Sequence, residues 1–279
     1  MTTLSQAIIQ AQALGLPRLD AQMLVLHAMG RSTADRAWLL AHDGDDLPPD
    51  AERTLQANMQ RRAAGEPLAY ITGFKEFYGL TLAVDARVLD PRADTETLVD
   101  WALECMDAWH CAGDARPHAI DLGTGSGAVA LALQHSRPQW QVHALDFSTD
   151  ALTVAQANAA RLSLPVQFRQ GFWLEGVQES FSLIVSNPPY ISDRDEHLAA
   201  LTHEPLQALA SGTDGLDDIR TIVTQASARL QPGAWLLLEH GYDQAASVRA
   251  LLQDAGFGQV QSRNDLAGIA RCSGGQWNP

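Results

Sequence analysis

A mainly parallel α/β sheet, preceded by a small helical domain and a β-hairpin linker, is the fold this 279-residue sequence predicts. Three observations carry that expectation. From about Thr95 onward, short apolar runs alternate with helical patterns, the rhythm of a parallel sheet covered by helices on both faces. A turn with three glycines in five residues stands between one apolar run and an alanine-rich helix. The first sixty or so residues carry helical spacing alone.

In the N-terminal part, Leu4, Ile8 and Ile9, then Leu19, Met23 and Leu24, recur at helical intervals. Gly15-Leu16-Pro17 and Gly30-Arg31-Ser32 punctuate them. An acidic turn, Asp43 to Asp50 with Pro48-Pro49 inside it, leads to an amphipathic helix ending near Arg62, and Gly65-Glu66-Pro67 stops it. Tyr70, Phe74, Phe77, Tyr78, Leu80, Leu82 and Val84 then read as a hairpin. The expected domains are a helical substrate-binding domain over residues 1–75, a β-hairpin linker over 76–95 and a cofactor-binding catalytic domain over 96–279.

In the larger part a helix from Glu96 to about Trp109 precedes a strand, His118 to Leu122. Further strands are read at Val142–Leu145, Val166–Arg169, Phe181–Val185 and Ala234–Leu238, with helices near Ala151–Arg161, Leu216–Leu230 and Gln244–Ala255. Gln259–Arg263 and Ile269–Cys272 suggest a terminal antiparallel pair.

Hydrophobic residues form 46% of the chain and the formal net charge is −14, which suits a globular protein and disfavours a phosphate-gripping nucleic-acid binder. No basic-then-apolar leader opens the sequence and no run reaches membrane-spanning length, so a cytoplasmic protein without membrane contact is expected. Three cysteines without a Cys-x-x-Cys pair fit a reducing compartment. His110 and Cys111 lack further ligands at metal spacing, and no metal is expected. The chain is expected to act as a monomer.

Asp121-Leu122-Gly123-Thr124-Gly125-Ser126-Gly127 lies between strand and helix, where glycine lets backbone approach a ligand and the helix N-terminus offers free N–H groups. Asp146 closes the next strand, where a carboxylate can accept both hydroxyls of a ribose. A dinucleotide and S-adenosylmethionine both fit this layout. Asp121, an acid beside an expected ammonium, leans toward the second. Trp173 reads either as an aromatic stacked on adenine or as a core residue under a loop.

Ser186-Asn187-Pro188-Pro189-Tyr190-Ile191 ends the fourth strand. Two prolines cannot continue a central strand, and they fix the backbone as a stiff rim with free carbonyls. Such a rim suits methyl transfer to an amide or ring-amine nitrogen, whose lone pair is delocalised. If Asn187 and the Pro188 carbonyl accept its two N–H bonds, the lone pair turns toward the methyl donor. Tyr190 would lie against the planar group. The plainer reading is a turn with Tyr190 packed inward. Glu239-His240 reads as a strand terminus with polar caps, and the late Gly274-Gly275-Gln276 as a chance triplet in a mobile tail.

The sequence resembles the release-factor glutamine methyltransferases, the HemK/PrmC family, along nearly its whole length. The likeness rests on Gly65 to Gly73, Glu76 to Leu80, Val88 to Glu96, Asp121 to Gly127, Ser186 to Ile191, His203 to Leu209 and Gly212 to Leu216. It implies a Rossmann-like S-adenosylmethionine-dependent methyltransferase fold. It also implies cofactor contacts from Gly123, Thr124, Gly125, Ser126, Gly127, Asp146, Trp173 and Asn187, with Asn187, Pro188, Pro189 and Tyr190 holding the substrate glutamine. The implied substrate is the glutamine of a Gly-Gly-Gln motif in class 1 peptide-chain release factors, and the implied product is N5-methylglutamine. The Asn-Pro-Pro-Tyr segment alone is shared with nucleic-acid amino-methyltransferases, which gives the alternative activity. Ala93 and Asp94 depart from the family's usual Pro-Glu, Ser182 from a common aspartate, and Phe172 from a common acid.

Overall fold

The computed structural model describes residues 2–109 and 116–279, so His110 and Cys111 lie outside the described residues. The chain divides into two compact units, Met1–Phe74 and Lys75–Pro279.

The first unit is helical: α1 (Leu4–Ala13), α2 (Arg18–Ala28), α3 (Arg36–Ala41), α4 (Pro49–Ala63) and α5 (Leu68–Thr72). Thr3 and Gln6 cap α1 reciprocally, satisfying two N–H groups that a helix start leaves open. Leu4, Ile8, Leu24, Leu39, Leu55 and Ile71 share one core. Of the expected apolar pair Ile8-Ile9, only Ile8 turns inward; Ile9 is 64% exposed. Helix α3, under two turns long, is too short for periodicity to signal. Tyr70 sits on α5 rather than in the hairpin, because Pro67 starts a helical turn there and Gly73, in the left-handed region, ends it.

The second unit opens with a tight hairpin, β1 (Phe74–Phe77) and β2 (Leu80–Ala83), whose two loop residues Tyr78 and Gly79 both have positive φ. That geometry matches the twist of the strands. Helix α6 (Glu96–Ala108) follows, then β3 (His118–Leu122), α7 (Ala128–Ser136), β4 (Gln141–Asp146), α8 (Thr149–Leu162), β5 (Gln167–Gln170) and β6 (Phe181–Ser186). The chain closes with α9 (Asp217–Ala226), β7 (Leu230–Glu239), α10 (Ala245–Asp254), β8 (Gly258–Asn264) and β9 (Ala270–Gln276). The expected Leu216–Leu230 helix ends early: the chain turns at Arg229, and Leu230 pairs with Phe181 in the sheet. Strand pairing there outweighs a helical pattern.

The seven strands run in the order β5-β4-β3-β6-β7-β9-β8, with β5 to β7 through the centre parallel and β9 antiparallel to both of its neighbours. The expected α/β fold is the one found. Every residue of β6 is buried, as a central strand covered on both faces requires. The order reverses between β3 and β6, which leaves a crevice at their carboxyl ends. Register aligns those ends: Leu122 pairs with Leu145 and Ser186, and Ser186 with Leu238. Gly123, Asp146, Asn187 and Glu239 therefore come next along one edge.

Gly274-Gly275-Gln276 is not a tail but the end of β9. A Cβ on Gly274 would lie 2.6 Å from Leu237 Cδ2 and 2.7 Å from the Leu236 carbonyl, and one on Gly275 2.8 Å from Phe257 Cβ. These glycines are what close packing on β7 and α10's flank demands. No helix among the described residues is long and apolar enough to cross a membrane.

Candidate active site

Two hollows open at the carboxyl edge of the sheet, and three residues belong to both. The larger, about 350 Å³, is lined by Gly123, Gly125, Asp146, Phe147, Phe172, Trp173, Asn187 and Pro189 among others. The smaller, about 140 Å³, is lined by Leu89, Arg92, Asn187, Pro188, Tyr190 and Leu209 among others. Asn187 forms the wall between them, with Leu89 and Ala208.

The glycine loop is folded by its own neighbours. The Gly123 and Thr124 amides donate to the Leu145 carbonyl at 2.8 and 3.0 Å. The Gly125 amide donates to Asp146 Oδ2 at 2.9 Å, and the Ser148 amide to Asp146 Oδ1 at 2.9 Å. Burial raises the Asp146 carboxyl above its ordinary value, opposed by these amides. A carboxylate accepts about four hydrogen bonds, so Asp146 retains capacity toward the cleft. Asp121 lies beneath the loop, 2% exposed, its Oδ2 accepting from the Thr124 hydroxyl at 2.7 Å and the Ala130 amide at 3.1 Å. Desolvation pushes it up to about 7. Asp121, Thr124, Ser126 and Gly127 are buried and stand behind the cleft wall rather than on it. They shape the loop; the surface it presents belongs to Gly123 and Gly125.

Trp173 satisfies half of each reading. It lines the larger cleft, yet it is only 7% exposed, belongs to the core cluster and donates from Nε1 to Asp218 at 3.0 Å. A Cβ on Gly123 would come within 3.2 Å of its ring. The freer aromatic faces are Phe147 and Phe172, 65% and 45% exposed and edge-to-face at the mouth. The sequence reading missed them, although Phe147 directly follows Asp146.

The proline corner is braced from distant parts of the chain. Ile191 exchanges backbone bonds with Leu209 and Ser211, and Gln244 Nε2 donates to the Tyr190 carbonyl at 2.9 Å. Gly215 crosses so near that a Cβ there would lie 2.2 Å from Tyr190 O. Arg92, at the smaller pocket, pairs with the buried Glu204 at 2.6 Å, and Glu204 also accepts the Asp90 amide. Asn187 Nδ2 donates to Thr95 Oγ1 at 3.2 Å, while no described residue donates to the Pro188 carbonyl. Tyr190 lines the smaller pocket with its hydroxyl turned to Glu239 Oε1 at 3.3 Å. Burial and then the Glu239 charge raise its phenol well above the ordinary range. Glu239 is 1% exposed. It is more than the capped strand end that the sequence suggested. The clue available in the sequence was positional: it ends the strand next to the one carrying Asn187. His240 is occupied by the Gly241 carbonyl and Ser273, not by Glu239.

The family model for the PrmC N-terminal domain matches residues 3–73, and that for the methyltransferase small domain matches residues 103–214. A release factor glutamine methyltransferase of Bordetella pertussis is 49% identical over 265 residues, covering 94% of this chain and 95% of the relative. The chain belongs to the release factor glutamine methyltransferase family. A second member, from Coxiella burnetii, is 44% identical over 257 residues, covering 91% of this chain and 90% of its own length. Among solved structures, a 16S rRNA N2 G1207 methyltransferase of T. thermophilus, in complex with AdoMet and guanosine, aligns with a TM-score of 0.51 at 20% identity. That alignment covers 74% of this chain and 50% of the other, and shares the fold.

Proposed function

We propose that this enzyme transfers a methyl group from S-adenosylmethionine to the side-chain amide nitrogen of the glutamine in the Gly-Gly-Gln motif of class 1 peptide-chain release factors. The observation that carries the reading is the place of Asn187, on the wall between a larger and a smaller hollow with its donor end tied back to Thr95. The larger cleft suits the cofactor. Gly125 leaves open space where a side chain would stand, Asp146 has acceptor capacity for ribose hydroxyls, and Phe147 and Phe172 offer rings beside it. When bound, S-adenosylmethionine supplies an already activated sulfonium methyl group.

The chain's residues then have one task, to present a poor nucleophile well. Asn187 Oδ1 and the Pro188 carbonyl accept the two amide N–H bonds in the smaller pocket, which turns the nitrogen's lone pair toward the larger cleft. Positioning of this kind supplies several kcal/mol of barrier reduction, on the order of a thousandfold or more in rate. The same acceptors stabilise positive charge developing on nitrogen. Tyr190, held by Glu239, gives the planar amide a flat wall. The helical unit at the start of the chain, which matches the PrmC N-terminal domain, is the part we assign to gripping the protein substrate.

The test is transfer of labelled methyl from S-adenosylmethionine to a class 1 release factor, beside the same factor with its Gly-Gly-Gln glutamine changed to alanine. Label should appear on the first and be absent from the second; equal labelling of both rejects the assignment.

A further inference from the structure

Asn187 can do its work in one orientation only. The two ends of its amide have nearly the same shape, and only hydrogen-bond partners decide which end faces the substrate. Oδ1 must point into the pocket, so Nδ2 must find an acceptor behind it. That acceptor is Thr95 Oγ1 at 3.2 Å. A threonine hydroxyl alone does not settle the matter, because it donates as readily as it accepts. If it donated to Asn187, the amide would flip and present NH2 to an NH2.

What settles it lies one step deeper. Glu239 is buried next to this pair. Its Oε1 accepts from Tyr190, and its Oε2 is buried with no hydrogen-bond partner among the described residues. Thr95 is 4% exposed, and its side chain is the strongest influence opposing the cost of burying Glu239. An ionised carboxylate only accepts.

We propose that Glu239 and Thr95 are positioning residues that form a polarity chain. The Glu239 carboxylate takes the Thr95 hydroxyl hydrogen, which leaves Thr95 an acceptor for Asn187 Nδ2 and fixes Asn187 Oδ1 toward the substrate amide. Tyr190, on the other oxygen of Glu239, is set by the same carboxylate. The proposal rests on the reading of Asn187 as the acceptor of the substrate amide.

The charged and titratable groups around Glu239 are Tyr190 in the corner, Arg271 and Cys272 on β9, and Asp94 in the turn before α6. Arg271 lowers the Glu239 carboxyl and Asp94 raises it, while burial, the largest cause, pushes it up to about 7. Once protonated, Glu239 can donate to Thr95, and the chain of polarity is lost. Turnover should therefore fall as the pH drops through about 7.

The experiment compares Thr95→Val, Thr95→Ser, Glu239→Gln and Asn187→Ala in methyl transfer to a class 1 release factor, with cofactor affinity measured by calorimetry. Thr95→Val keeps the shape and removes the acceptor. It should lower kcat on the order of tenfold or more, the size of one buried hydrogen bond left unmade, with cofactor affinity and the release-factor KM within about twofold. Thr95→Ser should restore most of the rate. Glu239→Gln should be slow throughout and lack the acid limb near pH 7. A Thr95→Val enzyme with normal kcat, a Thr95→Ser enzyme as impaired as Thr95→Val, or an unchanged acid limb in Glu239→Gln overturns the proposal. A fully active Asn187→Ala enzyme overturns instead the reading beneath it.

Discussion

The glycine loop after β3 and the proline corner after β6 stand side by side at the same sheet edge, yet they are built in opposite ways. The loop is made by backbone and held from beneath by Asp121 and from one neighbouring strand by Leu145 and Asp146. The corner is held by side chains and backbone from several separate segments, which include Thr95, Leu209, Gly215, Glu239 and Gln244. A surface made of amides needs only its own strand and the one beside it. An acceptor that must point one way needs a buried support, and buried supports come from wherever the fold brings them. Damage to the loop should therefore appear as weaker cofactor binding, and damage to the corner as slower turnover.

Asn187→Ala tests the corner most directly. By analogy with loss of one preorganised group at a reacting centre, kcat should fall on the order of 10²- to 10³-fold, with the dissociation constant for S-adenosylmethionine moving only a few-fold by calorimetry. Gly215→Ala attacks the corner without touching a side chain in it. The new Cβ would collide with the Tyr190 carbonyl, and a misplacement approaching 1 Å costs up to roughly 10²-fold in rate. Steady-state kinetics on a variant with an unchanged melting curve would separate that from unfolding; a normal kcat would mean the corner tolerates displacement.

Asp146→Asn is the matching test of the loop. It weakens the acceptors for the Gly125 and Ser148 amides, so cofactor affinity should drop about tenfold while kcat at saturating cofactor changes little. A fall in kcat with unchanged affinity would erase the contrast between the two regions. Gly274→Ala serves as a control outside both. Crowding against Leu237, the Leu236 carbonyl and Trp101 should cost about 1–3 kcal/mol of stability, read as a melting point several degrees lower. The rate at low temperature should remain intact.

The smallest effect concerns pH. The folded Asp121 carboxyl sits at about 7, above the roughly 3.9 of a free aspartate. A group raised in this way favours folding most at pH values below its unfolded pKa, and that contribution is lost as pH rises from about 4 to about 7. Melting temperature should decline across that window, and Asp121→Asn should flatten part of the slope. Glu239 and Asp146, which shift in the same direction, contribute to the remainder. A slope identical in the variant would show that Asp121 stays ionised in the folded protein.

Periodicity was enough to place the parallel strands and most helices, because a strand buried on both faces must read as a continuous apolar run. It failed where length or pairing took over, at the six-residue α3 and at Leu230, which left its helix for the sheet. Gly274 and Gly275 looked like a loose tail because their neighbours, Leu237 and Phe257, are distant in sequence. Phe147 was legible and passed over. Thr95 was not legible, since a lone threonine before a helix has an ordinary role as a helix-start residue.

From residue order alone came the α/β class, the glycine loop, Asp146 at a strand end and the stiff Asn187-Pro188-Pro189-Tyr190 corner, all of them local consequences of backbone chemistry. Tertiary structure alone decided which of these residues face a hollow and which stand behind the wall, and that Asn187 divides two hollows. It also brought Glu239 to within reach of Tyr190. Local propensities fix how a segment bends, but the direction of a buried hydrogen bond depends on partners that only sheet order and register bring together.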